Sequence, residues 1–341
     1  MKKGLLVVVV ALAVGAAFVL REHNPQVVNK PAVAIVTPKP QSKPEDLTGK
    51  QIIVFAFDGS KSLDMWQESL DFAQQMLGEG KPIHFTYFIS GVYFITYQNR
   101  EIYHPPQAPA GTSTIGYADS KEDIIKRINY INRAVSEGHE IGSHLNGHFD
   151  GSHWSAADWQ QEFDQFDQLI NAAKLNIATS DIIGFRAPDL GRNDYLWPVL
   201  KNHGFVYDTS TVGKLGEWPK KQKGLWEFAI PQIKFADTNS YLLSMDYNFY
   251  VKQTRSKDQL LAGTTKWQDA FDQMYDSYID YFNNNYSTTK APVFIAHHFS
   301  LWNNGVYWEA LKKFAAEECG KLDVRCITYQ ELTNYLNSKA P

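Results

Sequence analysis

The chain has 341 residues, 44% of them hydrophobic and 14% aromatic, with a formal net charge of −4. That charge is small and spread out, so no basic block points to nucleic acid and no acidic tail stands out. About 290 residues from Lys50 onward are enough for one large domain, and no internal repeat divides them.

The N-terminus reads Met1-Lys2-Lys3, then about seventeen apolar residues, "GLLVVVVALAVGAAFVL", ending at Leu20 ahead of Arg21. A short basic region before such a run is an export signal over residues 1–21. Small residues at 11–13 and 15–17 suit cleavage. The run is also nearly long enough to stay as a membrane anchor with its start in the cytoplasm. Either outcome delivers the rest of the chain outside the inner membrane, to the periplasm, the cell envelope or the medium. Residues 22–48 hold five prolines and almost no aromatic side chain, which predicts an extended, semi-stiff tether. The folded domain is expected over 49–341, as a monomer.

Within it, short apolar runs alternate with amphipathic ones. "QIIVFAF" (51–57) is too apolar and β-branched for a surface strand. "HFTYFI" (84–89), "HEIGS" (139–143), "DIIGFR" (181–186), "GFVYD" (204–208) and "PVFIA" (292–296) read alike. Helical patterns fall at 62–77, 121–138, 155–174 and 308–318, the third opening on Ser155 with Asp158 as a capping box. Buried strands alternating with helices predict a parallel sheet or an α/β barrel. Polar residues then recur where strands end: Asp58, His144, Arg186, and the pair His297 and His298. In α/β folds those ends face one side and carry the site.

Two histidines four apart, His144 and His148, lie in "EIGSHLNGHFDG" (140–151), where Gly142, Asn146, Gly147 and Gly151 favour a loop over a helix. Neutral imidazole is a common zinc ligand, and a catalytic zinc typically takes three protein groups plus water. Asp58, at a neighbouring strand end, can supply the third.

Taken in order, "FAFDGS", "HLNGH", "RAPDLG" and "IAHHF" resemble the motifs of the polysaccharide deacetylases of carbohydrate esterase family four: T-F-D-D-G, H-[S/T]-x-x-H, R-x-P and L-x-H. The likeness covers most of residues 50–335. It implies a distorted (β/α)7 barrel and a divalent metal, Zn2+ foremost, held by Asp58, His144 and His148. It also implies removal of N-acetyl groups from an N-acetylglucosamine polymer such as peptidoglycan, chitin or an exopolysaccharide. The general acid falls on His297, with His298 as the neighbouring choice, and Arg186 orients the base.

The resemblance also exposes a departure. Asp58 aligns with the second aspartate of the first motif, and Phe57 stands where the first, the base, is expected. Phenylalanine cannot accept a proton. Leu145 likewise replaces a hydroxyl residue beside the histidine pair. Asp150, Asp189 and Asp246 are candidate replacements, Asp189 foremost because R-x-P brings it near the site. Alternatively, His297 or His298 serves as both base and acid, or the domain keeps only metal and sugar binding. The same barrel can also hydrolyse a non-sugar amide. Trp66 and Trp159 sit at helical spacing as core, whereas Trp302 and Trp154 are placed for stacking on a sugar. Cys319 and Cys326, seven apart, predict a disulfide in an exported chain.

Overall fold

The computed structural model describes residues 45–339. The export segment expected over 1–21, and most of the 22–48 tether, lie outside them. The first half of the chain runs β1 (Gln51–Gly59), α1 (Leu63–Gly78), β2 (Phe85–Ile89), α2 (Lys121–Ser136), β3 (Glu140–Ser143), α3 (Ala156–Ala173), β4 (Gly184–Phe185), α4 (Leu196–Asn202) and β5 (Tyr207–Asp208). Five short strands follow: β6 (Val212–Gly213), β7 (Lys220–Gln222), β8 (Leu225–Glu227), β9 (Ile230–Lys234) and β10 (Tyr241–Leu243). The chain closes with α5 (Asp246–Thr254), α6 (Thr265–Ser287), β11 (Val293–His298), α7 (Trp302–Glu318), β12 (Val324–Cys326) and α8 (Tyr329–Lys339).

The main sheet runs β11-β1-β2-β3-β4-β5-β8-β7, with β12 beside β1. It is parallel except at the exposed edge strand β7, and it curls into a half-barrel. This is the mixed α/β form that the alternating runs predicted. A small second sheet, β10-β9-β6, and a bridge from Met245 to Ala296 continue past β11.

Strand β1 shows how the sheet separates two cores. Its side chains alternate, as a period of two requires. Ile53, Phe55 and Phe57 face the helices and pack with Trp66 and Phe314, while Ile52, Val54 and Ala56 face inward to Tyr207, Phe228, Phe294 and Tyr329. Asp58 therefore falls on the inward row. Leu47, inside the stretch that composition marks as tether, is buried in that inner cluster.

The helices follow their caps and apolar stripes. Ser62 accepts a hydrogen bond from the Met65 amide and starts α1, which buries Met65, Trp66, Leu70, Ala73 and Met76. Ser155 and Asp158 form the expected capping box of α3, which buries Trp159, Phe163, Phe166 and Ile170. Trp154 differs from expectation. It is buried edge-on against Trp159 at 4.7 Å, so its ring is spent on the core rather than on a ligand. The 23-residue α6 has no counterpart among the sequence-predicted helices. Its Asn, Asp and Tyr content is poor in helix propensity, and packing of Tyr278, Tyr281 and Phe282 against the sheet decides instead.

Cys319, at the end of α7, is bonded to Cys326 in β12, with Cα atoms 5.6 Å apart. A loop with a sequence separation of 7 restrains the unfolded chain by about 2–3 kcal/mol. Replacing both cysteines with serine should lower unfolding stability by about that amount in a denaturant titration.

Candidate functional site

The site is built at the C-terminal ends of β1, β3, β4 and β11. At its centre, Arg186 Nη1 donates to Asp58 Oδ1 at 2.8 Å, with side chains 0% and 4% exposed. Arg186 is held on several sides. Its Nε donates to Thr209 Oγ1 at 2.7 Å and its Nη2 to the Tyr329 hydroxyl at 3.2 Å, while the guanidinium lies 4.5 Å over the Phe88 ring. Burial by itself would push the Asp58 carboxyl up. Arg186, helped by His144 and His298, overrules it and holds the group below its ordinary value.

Parallel pairing sorts the residues around this pair. In register, Asp58 lies beside His298, and Phe57 beside His297. Phe57 is thus on the opposite face, 1% exposed and packed among Phe85, Tyr87, Phe299 and Trp308. His297 shares that face, buried beside Phe57 with its Nε2 at 3.1 Å from the Tyr278 hydroxyl. His298 shares the Asp58 face and remains 28% exposed.

Asp246, at the start of α5, holds His298 twice. Its Oδ1 lies 2.7 Å from His298 Nδ1, and its Oδ2 accepts the His298 amide at 2.9 Å. A carboxylate can only accept from Nδ1, so Nε2 is the ring atom left for other chemistry. Burial pushes this imidazole down, but the adjacent Asp246 carboxylate outweighs it and raises the group above its ordinary value.

His144 and His148 sit on a loop rather than a helix, with ring centroids 5.2 Å apart. Leu145 and His148 both adopt left-handed backbone, at φ 56° and 60°. For side chains this costs energy unless the surroundings impose it. Here Glu162 Oε1 accepts the Asn146 amide at 3.1 Å, and the Tyr103 hydroxyl donates to Glu162 at 2.9 Å while accepting the Gly147 amide at 3.1 Å. From the other side, Thr114 Oγ1 donates to the His148 carbonyl at 2.7 Å. His144 Nδ1 donates to the Arg186 carbonyl at 2.8 Å, which leaves Nε2 with its lone pair. Burial lowers the His144 pKa to about 4, so the ring is neutral at neutral pH.

The other sequence-predicted residues are distributed more loosely. Asp189 is 60% exposed, with Oδ2 at 3.9 Å from His148 Nδ1. Asp150 accepts the Ser152 amide at 2.8 Å and caps a short turn. Trp302 stacks on Tyr250 at 4.7 Å and lies 5.3 Å from the His298 ring. Thr209, Tyr329, Glu162 and Tyr103 carry no motif of their own and were not singled out in sequence. Each is legible only through its partner in space.

The donor chemistry suits a divalent ion: one carboxylate held charged, and a neutral imidazole with its free nitrogen fixed. Among the described residues, however, no three His, Cys, Asp or Glu side chains converge closely enough to hold one.

The polysaccharide deacetylase profile matches residues 47–207, which include Asp58, His144, His148 and Arg186. Those residues belong to the polysaccharide deacetylase family. A solved structure from Mycobacterium smegmatis, assigned to the polysaccharide deacetylases, shares 15% identity, covering 89% of this chain and 95% of its own, at a TM-score of 0.55. A polysaccharide deacetylase from Bacillus cereus shares 15% identity over 82% of this chain and 92% of its own, at a TM-score of 0.45. The chitin deacetylase of the fungus Colletotrichum lindemuthianum shares 13%, over 82% and 88%, at 0.46. At 15% identity the Mycobacterium smegmatis structure speaks to the fold alone, and it agrees with the curled half-barrel. Among curated proteins, no relative matches the sequence.

Two predictions follow from the burial of these charges. Replacing Arg186 with Met strands the Asp58 carboxylate, and urea unfolding should show a loss of about 3–5 kcal/mol. The additional Asp58→Asn change should recover part of it. Burial also pushes Glu162 from its ordinary 4.5 to about 7, and Glu140 likewise. The folded state then holds those protons more tightly than the unfolded chain, so their stabilisation is complete below pH 4.5 and is lost as pH rises through about 7. Glu162→Gln should flatten the fall in stability across that window by on the order of 3 kcal/mol.

Proposed function

We propose that the chain is an exported, metal-dependent deacetylase that removes N-acetyl groups from an N-acetylglucosamine-containing polysaccharide. The observation that carries this reading is the meeting of two charge-fixed pairs, Asp58–Arg186 and Asp246–His298, on one face of adjacent strand ends. Amide hydrolysis needs a fixed negative charge, a base for the attacking water and an acid for the leaving amine.

His298 is the acid. Asp246 holds its Nδ1 and keeps the ring protonated to higher pH, so Nε2 can give its proton to the sugar nitrogen as the C–N bond breaks. Of the three carboxylates weighed for the base, Asp246 is committed to His298 and Asp150 to its turn. That leaves Asp189, beside His148, to take the proton of the water that adds to the acetyl carbon. Arg186 keeps Asp58 ionised at the floor of the site. Asp58, His144 and His148 are the residues that would hold a divalent ion, Zn2+ in the first instance. When bound, the ion supplies Lewis acidity to the amide carbonyl and to the attacking water. Trp302 offers its edge of the aromatic cluster to the sugar. The substrate is read as peptidoglycan, chitin or an exopolysaccharide, met outside the inner membrane.

The lack of convergence among Asp58, His144 and His148 favours one rival, a protein that binds sugar on this barrel without turning it over. Acetate release from N-acetylglucosamine oligomers by the Zn2+-supplemented protein separates the two. His298→Ala should lower kcat by ~10²–10⁴-fold. Calorimetry should show that His144→Ala loses Zn2+ binding. Oligomer binding without any acetate release would replace the enzyme with the sugar-binding protein.

A further inference from the structure

Parallel strands enter a sheet on one side and leave it on the other, so the turns that lead into them lie opposite the candidate site. In this chain those turns repeatedly carry lysine. Lys50 stands ahead of β1, Lys81 ahead of β2, Lys201 ahead of β5, Lys223 ahead of β8, Lys290 ahead of β11 and Lys321 ahead of β12. They come from separate stretches of sequence, and only the fold gathers them on one base.

Neighbouring turns touch there. Lys50 Nζ donates to the Leu322 carbonyl at 3.1 Å, Lys81 lies along Gly320, and Lys201 lies along Gly224. Lys201 and Lys221 share the wall of one shallow depression with Trp226 and Asn337. Part of the charge is spent internally: Lys81 pairs with Glu79, Lys223 with Asp194, Lys290 with Asp323 and Lys321 with Glu318. Lys50, Lys201, Lys220 and Lys221 pair with no carboxylate among the described residues, and Asp181, ahead of β4, offsets one of them. Lysine on an exposed edge strand also discourages strand pairing, but that accounts for β7 alone. The base is thus positive in a chain whose formal net charge is −4.

Two further observations say what such a face meets. Leu322 is 92% exposed, between Lys321 and the Lys50 amine. An apolar side chain flanked by amines suits the boundary between lipid headgroups and acyl chains. The described chain also starts on this base, where Glu45 accepts from Arg325 Nε at 2.8 Å and Asp46 lies 3.0 Å from Lys339 Nζ. Residues 1–44, with their apolar run, therefore join the domain on this same side. An acidic polymer would meet the same lysines, but a bilayer accounts for Leu322 and for the point of attachment as well.

We infer that this lysine-bearing base is a docking face for an anionic lipid bilayer, which turns the candidate site away from the membrane. This rests on residues 1–21 staying as an anchor, and not on which reaction the site performs. An anchor holds the domain near the surface at a roughly millimolar effective concentration, so weak contacts suffice. Each unpaired lysine close to an anionic surface strengthens the contact about fivefold.

The test uses the full chain reconstituted in bilayers of phosphatidylcholine, with or without phosphatidylglycerol. Hydrogen exchange in the turns at 49–51, 222–224 and 320–323 should slow about tenfold on the anionic bilayer, and recover in high salt. The histidine loop at 144–148 should keep its rate. Lys201→Glu combined with Lys221→Glu should abolish the slowing. Equal rates on both bilayers overturn the docking face, as does slowing that persists in the double variant. Equal slowing on the neutral bilayer by dissolved polyglutamate gives the face to an acidic polymer and also overturns it. If a carbonate wash releases the chain from the bilayer, the anchor reading fails separately, and sedimentation with the same vesicles decides. Binding to the anionic vesicles alone, lost in the double variant, then supports the face, and the lack of any preference overturns it.

Discussion

A single buried ion pair organises this molecule. Asp58 and Arg186 come from strands that are not neighbours in the sheet, and they meet where water does not reach. Neither could be buried without the other, since an isolated charge in such a place would be expelled or neutralised. Everything near them serves that pairing. Thr209 and Tyr329 take up the remaining guanidinium donors, Phe88 lies against its face, and the Arg186 carbonyl fixes the tautomer of His144. The charge balance and the orientation of the His144 ring are thus a single construction.

Much of this was legible before the fold was known, because strand ends announce themselves. Asp58 follows an unbroken apolar run, His144, Arg186 and His298 stand at or just past the ends of their strands, and all reach the same face. The choice between His297 and His298 was not legible. It depends on the parallel register that sets Asp58 beside His298, and register is a property of two strands together. Phe57 is a related case. Motif alignment sets it in the place of a base, whereas the alternation already present in "QIIVFAFDG" points it to the helical core.

The histidine loop shows why the supporting residues stayed hidden. Glu162 lies 16 residues from Asn146 and Tyr103 lies 59 from Glu162, and only folding joins them. A lone glutamate on an amphipathic helix reads as solvent-facing. Its burial becomes intelligible once the left-handed turns at Leu145 and His148 expose amides that need an acceptor. In this loop, backbone strain and a buried carboxylate are two aspects of one arrangement.

The position of Tyr329 has a consequence for how such a chain comes into being. It belongs to the last helix, yet its hydroxyl and ring close the floor beneath Arg186, and it packs with Tyr207 and Phe294 in the inner cluster. In the order of synthesis that helix follows every strand of the sheet. Until it docks, the guanidinium has one wall missing and the barrel interior is open from below. A chain lacking that helix would therefore carry Asp58, His144, Arg186 and His298 and still lack this wall of the pocket. Helix α8 thus works as a latch on the floor beneath Arg186.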